Sequence, residues 1–216
     1  MEGADFAGLT AAVEVDLNAW GNAIATSGSN LDALYSIENI KGGSGNDVIE
    51  GNHQDNVLHG GAGNDGLYGS FGDDTLLGEA GNDELSGGAG DDILIGGAGY
   101  DEIWGGWGDD IISGGADADR ITGGSGNDTV MGGTGADTFI FGQFDCGIDT
   151  ILDFELGVDE IYLDEVLASV PTGDEGYLGR VAAFSADGGA STAIWANTSS
   201  GWESLAVLEG VDSADA

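Results

Sequence analysis

The chain has 216 residues, of which 40 are acidic and three basic for a formal charge of −37, and 43 glycines stand against one proline and one cysteine. This charge excludes a nucleic-acid binder or an anionic-membrane binder that works through basic patches, and a single cysteine, Cys146, forbids an internal disulfide. No apolar run approaches the roughly 18 residues of a membrane span, and the N-terminus lacks the basic segment and apolar stretch of a secretory signal.

Residues 1–41 are not repetitive. Val13, Val15 and Leu17 alternate as a strand would, and Ser27 to Asn30 reads as a turn. Leu34, Ile37 and Ile40 recur at intervals of three, which fits either a short helical turn or a first irregular rung. The segment is expected to be an N-terminal cap, because the end of a stacked fold exposes its core and its strand edges.

From Gly42 to Ile140 one nine-residue phrase occurs eleven times, from GGSGNDVIE (42–50) to GGTGADTFI (132–140). Position 1 is Gly in every copy, position 4 is Gly in nine, with Gln54 and Asp117 as exceptions, and position 6 is Asp in ten, with Asn56 as the exception. Position 8 is always Ile, Leu, Val or Phe. Disorder does not hold an apolar residue in phase over 99 residues, so the array reads as a solenoid. Six residues of each phrase are expected to turn on their glycines. The other three form a short strand whose middle side chain points inward. Consecutive rungs fall in opposite sheets and each stacks on the rung 18 residues later. This gives two parallel sheets, six and five strands deep, about 25 Å long at roughly 4.8 Å per strand.

One buried side chain per phrase is too little to order nine residues, and position 6 points to the missing stabiliser. Stacking places Asp47, Asp65, Asp83, Asp101, Asp119 and Asp137 in one column and Asp74, Asp92, Asp110 and Asp128 in another. Bare carboxylates at that spacing repel. A hard divalent cation taking six or more oxygens at about 2.3–2.6 Å removes the repulsion, and glycine carbonyls beside paired carboxylates suit Ca²⁺ better than Mg²⁺. The array holds 19 acidic residues and one basic, Arg120, and its nine junctions between turns two repeats apart would neutralise that excess with up to about nine Ca²⁺.

The phrase resembles the GGxGxDxUx repeat of the RTX family, which binds Ca²⁺. The resemblance spans 42–140. It implies an all-β, right-handed parallel β-roll with short non-repeat capping segments at 1–41 and 141–216. It further implies that one turn offers the carbonyls of positions 2 and 4 with its aspartate, and the next turn on that edge the carbonyls of positions 1 and 3 with its own. Gly61, Gly63 and Asp65 would then face Gly78, Ala80 and Asp83. Gly72, Gly81, Gly90, Gly99 and Gly108 hold the same position 4 in later copies. Asn52, Gln54 and Asn56 set the junction between repeats 2 and 4 apart, and Asp117 weakens the turn of repeat 9. RTX proteins commonly leave the cell through a type I secretion system that reads a C-terminal signal. The resemblance therefore implies a secreted, extracellular protein with no N-terminal signal peptide, and 203–216 are candidates for part of that signal.

After Ile140 the phase ends, and residues 149–163 read as two strands about a turn at Gly157. Asp149, Asp153 and Asp159 resemble the acidic positions that follow the last repeat in secreted RTX proteases and mannuronan epimerases, which implies a further Ca²⁺ there. A short helix is expected at 164–170, stopped by Pro171, and then strands at 178–184, 191–197 and 202–211 that form a C-terminal cap of antiparallel strands.

The two outer faces differ. Even-numbered repeats present Val57, Leu77, Ile93, Ile95, Ile111 and Met131, an apolar face expected to lie under the flanking segments, the alternative being a partner surface. Odd-numbered repeats present Tyr68, Glu84, Glu102, Trp104 and Arg120, with Tyr68 and Trp104 in one column. Phe71 and Trp107 recur at position 3.

No catalytic set emerges. His53 and His59 lack the partners of a zinc site and read as surface residues. Gly61, Gly63 and Gly66 spell GxGxxG inside a repeat that opens no helix, and neither GxSxG nor HExxH occurs. The expected function is a non-catalytic calcium module, monomeric and attached to an upstream domain, that folds on binding Ca²⁺ outside the cell. The alternative is a module that binds an extracellular, alginate-like polysaccharide, which Lys41, Arg120 and Arg180 alone could attract without bridging Ca²⁺.

Overall fold

In a computed structural model of the chain, the described residues are 2–5, 13–17, 23–27, 30–34, 37–142, 147–163, 181–185, 191–198 and 201–209. Among them there is no helix. Ahead of the array come β1 (Glu2–Asp5), β2 (Val13–Leu17), β3 (Ala23–Ser27), β4 (Asn30–Leu34) and β5 (Ile37–Lys41). The repeats supply β6 (Val48–Glu50), β7 (Val57–Ala62), β8 (Gly66–Phe71), β9 (Thr75–Ala80), β10 (Glu84–Ala89) and β11 (Ile93–Ala98). They continue with β12 (Glu102–Trp107), β13 (Ile111–Ala116), β14 (Arg120–Ser125), β15 (Thr129–Thr134) and β16 (Thr138–Phe141). Behind them lie β17 (Asp149–Ile151), β18 (Glu160–Leu163), β19 (Val181–Ser185), β20 (Ser191–Thr198) and β21 (Gly201–Glu209).

Most repeat strands run to six residues, twice the expected length. Each takes positions 7–9 of one phrase and positions 1–3 of the next, and only positions 4–6 turn. Along β8 the inward sites are Leu67 and Gly69, and along β11 they are Leu94 and Gly96. Position 1 is thus an inward strand site filled by glycine. The core is a single file of position 8 side chains from Ile49 to Phe139, extended by Ile40, Ile151, Val15, Ala206 and Leu208.

The register is the 18-residue step read from the repeats: Leu85 pairs with Ile103 in one sheet and Leu94 with Ile112 in the other, both parallel. Together the sheets form a parallel β-solenoid, a β-roll, with 11 and 10 strands where the repeats alone supply five and six. The difference comes from the flanks, which join the sheets end to end. β5 stacks on β7 and β2 on β6, and β17 and β18 continue from β15 and β16. Antiparallel runs β2–β3–β4 and β21–β20–β19 then end the two sheets.

Ile37 and Ile40 accordingly belong to a rung and not a helical turn. Gly157 turns at φ +78°, but β17 and β18 lie in opposite sheets as successive rungs. Among the described residues the apolar face is covered only in part: Ile93 and Ile95 are exposed and Ile111 is 49% exposed, whereas Val57, Leu77 and Met131 are half-buried. The described flanking strands stack on the ends of the roll instead of folding across it. Of the expected turn from Ser27 to Asn30, the two end residues close β3 and open β4 and pair with each other, while residues 28–29 and the expected helix at 164–170 lie outside the described residues.

Candidate metal centre

The turns at positions 4–6 carry the position 6 side chains inward, where ten aspartates of the array and Asn56 are all buried. They form the two expected columns. In each, one carboxylate oxygen, Oδ1, accepts the backbone N–H of the position 6 residue one turn below. The odd-repeat column runs through Asp47, Asp65, Asp83, Asp101, Asp119 and Asp137 at 2.7–2.9 Å. The even-repeat column runs through Asn56, Asp74, Asp92, Asp110 and Asp128, again at 2.7–2.9 Å.

The other oxygen is left over. Oδ2 of Asp65, Asp74, Asp83, Asp92, Asp101, Asp110, Asp119 and Asp128 is buried without a hydrogen-bond partner. Buried anionic oxygens are normally paired. Around each the backbone is opened by glycine: a Cβ on Gly96 would strike both Asp101 Oδ2 and the carbonyl oxygen of Gly114. Gly60, Gly69, Gly78, Gly87 and Gly105 repeat that arrangement with their own aspartates and the position 1 carbonyl two repeats on. Position 4 behaves likewise, since a Cβ on Gly81 would meet the carbonyl of Gly63 and one on Gly99 that of Gly81. Gly61 and Gly63 also sit at φ +111° and +128°, a region that L side chains resist.

Burial pushes these carboxyls up, to about 7 for Asp74, Asp110 and Asp119 and to about 6 for Asp65, Asp83, Asp92 and Asp101. The amide from the turn below partly offsets the rise. A neighbouring carboxylate in the same column adds to it at Asp65, Asp74, Asp83, Asp110 and Asp119. Asp128 and Asp137 move the same way, also through burial. Among the described residues no three His, Cys, Asp or Glu side chains gather at one point. Each junction offers two carboxylates, and its other donors are main-chain carbonyls. All of these are hard oxygens, the donor set of Ca²⁺, so the residues present fit that ion.

The acidic trio after the array separates. Asp149 extends the even column, accepting from Asp128 N–H at 3.1 Å, and Asp159 extends the odd column from Asp137 N–H at 3.1 Å. Asp153 instead spends its two oxygens on the N–H groups of Gly132 and Gly133, each at 2.9 Å. Asp117 adopts φ +76°, so it reaches the left-handed region that glycine holds in other copies. His59 Nδ1 lies 3.0 Å from Glu79, and His53 packs edge-on against Phe71, so the two histidines do not share a site.

Two features escaped the sequence reading. One is the position 1 glycine as a wall of the cradle, signalled by its presence in all eleven copies where the turn does not need it. The other is position 5, whose Asn or Asp oxygen accepts the N–H of the position 5 residue one turn above. Asn46, Asn64 and Asn82 do so on one edge, and Asp55, Asp73, Asp91 and Asp109 on the other.

Residues 35–67, 68–103 and 104–139 match the RTX calcium-binding nonapeptide repeat (4 copies). Among curated proteins none matches the chain in sequence. Among solved structures, the extracellular lipase LipA from Serratia marcescens is similar at 17% identity and a TM-score of 0.35, over 82% of this chain and 38% of the lipase. The chain therefore spans well under half the length of that protein.

Proposed function

Residues 35–139 belong to the RTX calcium-binding nonapeptide repeat family, and from that premise we propose that the β-roll is a calcium-dependent folding module. It stays open where Ca²⁺ is scarce, closes outside the cell, and stabilises and aids the secretion of an attached domain. The observation that carries the reading is the file of eight buried Oδ2 atoms without donors, each in a cradle that a Cβ would fill. A carboxylate buried this way holds the metal-free fold at a disadvantage, and binding that occurs only in the folded state becomes folding free energy. The proposed ligands are the position 6 aspartates with the glycine carbonyls of positions 1 and 4 and, by the family pattern, the main-chain carbonyls of positions 2 and 3, where position 3 is never glycine. Bound Ca²⁺ would supply charge neutralisation and a cross-link between turns. The chain's own residues preset the oxygens: the amide ladder fixes each carboxylate, and glycine keeps the approach open.

Within the array, eight junctions pair two aspartates: 47/65, 65/83, 83/101, 101/119 and 119/137 on one edge, and 74/92, 92/110 and 110/128 on the other. Asn56 removes the ninth, while Asp149 and Asp159 add one further junction to each column. A roll of this kind is a scaffold and not a catalyst. Among the described residues no helix is long and apolar enough to cross a membrane.

The test is far-UV circular dichroism of the chain in chelator, in Mg²⁺ and in a Ca²⁺ titration, with bound ions counted by elemental analysis. Coil in chelator and in Mg²⁺, β structure in Ca²⁺ and close to one ion per Asp–Asp junction are expected. An unchanged β spectrum in strong chelator at neutral pH would overturn the reading.

A further inference from the structure

The sheet containing β8, β10, β12 and β14 presents large and small side chains on alternate strands. Tyr68, Ser86, Trp104 and Thr122 stand in register across it, so Tyr68 and Trp104 are two strands, roughly 10 Å, apart. Phe71, Ala89, Trp107 and Ser125 repeat the alternation at the ends of the same strands. Two troughs that share Tyr100 and Glu102 border this face. One, of about 520 Å³, runs between Trp104, Arg120, Thr122 and Ile140. The other, of about 460 Å³, runs past Tyr68 and Glu84 to Asn64 and Asn82.

The aromatic rings are set for contact from outside. Tyr68 lies across Gly66, where a Cβ would meet its ring at 3.2 Å, and its hydroxyl donates to Glu84 at 2.9 Å. Tyr100 and Trp104 are exposed, and Trp107 is 68% exposed although most copies carry a small residue at position 3. The fold does not require these rings, and exposed aromatic surface rimmed by polar groups marks a binding face. A pyranose ring has an apolar C–H face and a rim of hydroxyls. A flat indole or phenol takes the face, and carboxylates, amides and a guanidinium take the rim. Charge selects among saccharides: Glu84 and Glu102 line the groove, and Arg120 Nε already lies 3.9 Å from Glu102. An anionic sugar would meet net repulsion there.

We propose that this sheet face binds an uncharged polysaccharide, with sugar rings stacked on Trp104 and Tyr68 and with Tyr100, Glu102 and Arg120 meeting hydroxyls along the shared groove. The proposal rests on the folded roll, so it is tested in saturating Ca²⁺ with circular dichroism of each variant as a control. Failure of the roll to fold and failure of the groove to bind are thereby told apart.

The experiment is calorimetric titration of the full chain with cello-, xylo- and malto-hexaose, and with an alginate hexamer as the charged arm. At least one uncharged oligosaccharide is expected to bind. Trp104→Ala should weaken it about tenfold or more, and Ile111→Ser on the opposite sheet should leave it unchanged. Should Trp104→Ala disturb folding, Thr122→Trp, which fills the trough from a half-buried position on its wall, should also abolish binding. No binding of any uncharged oligosaccharide, binding of alginate alone, or binding indifferent to both groove variants would overturn the proposal.

Discussion

At Asn56 the side-chain amide closes on its own surroundings, whereas one turn above it on the same edge Asp74 keeps an oxygen with nothing to accept from. Asn56 Oδ1 accepts the Asn52 N–H at 2.9 Å and Nδ2 donates to the Glu38 carbonyl at 3.3 Å. Asp74 Oδ1 accepts the Asn56 N–H at 2.7 Å and Oδ2 has no donor. The turn of repeat 2 also does without a glycine at position 4: Gln54 N–H donates to Asn52 Oδ1 at 2.7 Å, and Gln54 does not adopt positive φ. The orphaned buried atom in that turn is Asn52 Nδ2, a donor that no cation can satisfy. Yet the strands on either side keep one register, Val57 on Thr75 and Leu58 on Leu76. Register is thus set by the ladder and the position 8 core, while the chemistry of each turn is set by one atom at position 6. Of these two turns, the amide of Asn56 satisfies itself, while the carboxylate of Asp74 keeps an oxygen for a cation or a proton.

The proton is the larger test of that contrast. Seven of these aspartates titrate near 6 or 7 in the metal-free fold, above the ordinary 3.8. Between about pH 4 and 7 the folded state therefore binds more protons than the unfolded chain, and its stability rises as pH falls through that window. Below the unfolded value both states are protonated and the gain is complete. In chelator, β content measured by circular dichroism is expected to be absent at pH 7.5 and to return towards pH 4.5. Added Ca²⁺ should matter less at the acid end, where protons compete for the same oxygens. Coil at every pH would break the comparison.

A single column position gives the next largest effect. Asp101 takes part in two junctions, with Asp83 below it and Asp119 above it. Asp101→Ala leaves the Asp83 N–H without its acceptor, which costs about 1–3 kcal/mol by itself, and should remove two ions. Asp101→Asn keeps Oδ1 and imitates Asn56, so it should lose the ions with a smaller fall in thermal midpoint. Ion counting and thermal melts in saturating Ca²⁺ check both, and equal stoichiometry in Asp101→Asn and wild type would separate the orphan oxygens from metal.

Much of this was legible in advance because it is periodic. Leu58, Leu76 and Leu94 announce one sheet and Ile49, Leu67 and Leu85 the other, and an aspartate every nine residues announces both columns. What was not legible depends on neighbours that periodicity does not encode. Ile40 and Val15 became core only because β5 and β2 dock on the exposed ends of the sheets, which also made both sheets deeper than the repeats alone imply. Ile93 and Ile111 were expected under a flank, but the described flanking strands stack end-on and both side chains are exposed. Asp149 and Asp153 look alike in sequence, yet the first falls in a column and the second on a pair of glycine amides, since their spacing from the last repeat is no longer nine.

Glycine at position 1 offers a steric version of the same comparison. Gly96→Ala would press a methyl group into Asp101 Oδ2 and the Gly114 carbonyl. It should cost about 1–3 kcal/mol as an overpacked site and lower Ca²⁺ affinity at that edge. Gly51→Ala meets Asn56 Oδ1 and the Gly69 carbonyl instead, in a turn without paired carboxylates. It is expected to destabilise the fold to a similar degree while leaving ion number unchanged.

The smallest expected effect is the most diagnostic, because its sign should depend on the metal. Asn56→Asp creates the missing Asp–Asp pair with Asp74 and exchanges the donor Nδ2 for a second oxygen. In chelator it should destabilise, by about 0.5–1.5 kcal/mol for the lost bond to Glu38, with one more buried charge adding to the loss. In Ca²⁺ that loss should shrink or reverse as the new junction takes an ion. Reversal is expected to be complete only with Gln54→Gly, which frees the position 4 carbonyl from the turn now closed by Asn52. Melts of the single and double variants at both extremes of Ca²⁺ measure the crossing. If the double variant gains neither an ion nor calcium-dependent stability, the aspartate columns are not the feature that distinguishes the other turns from repeat 2.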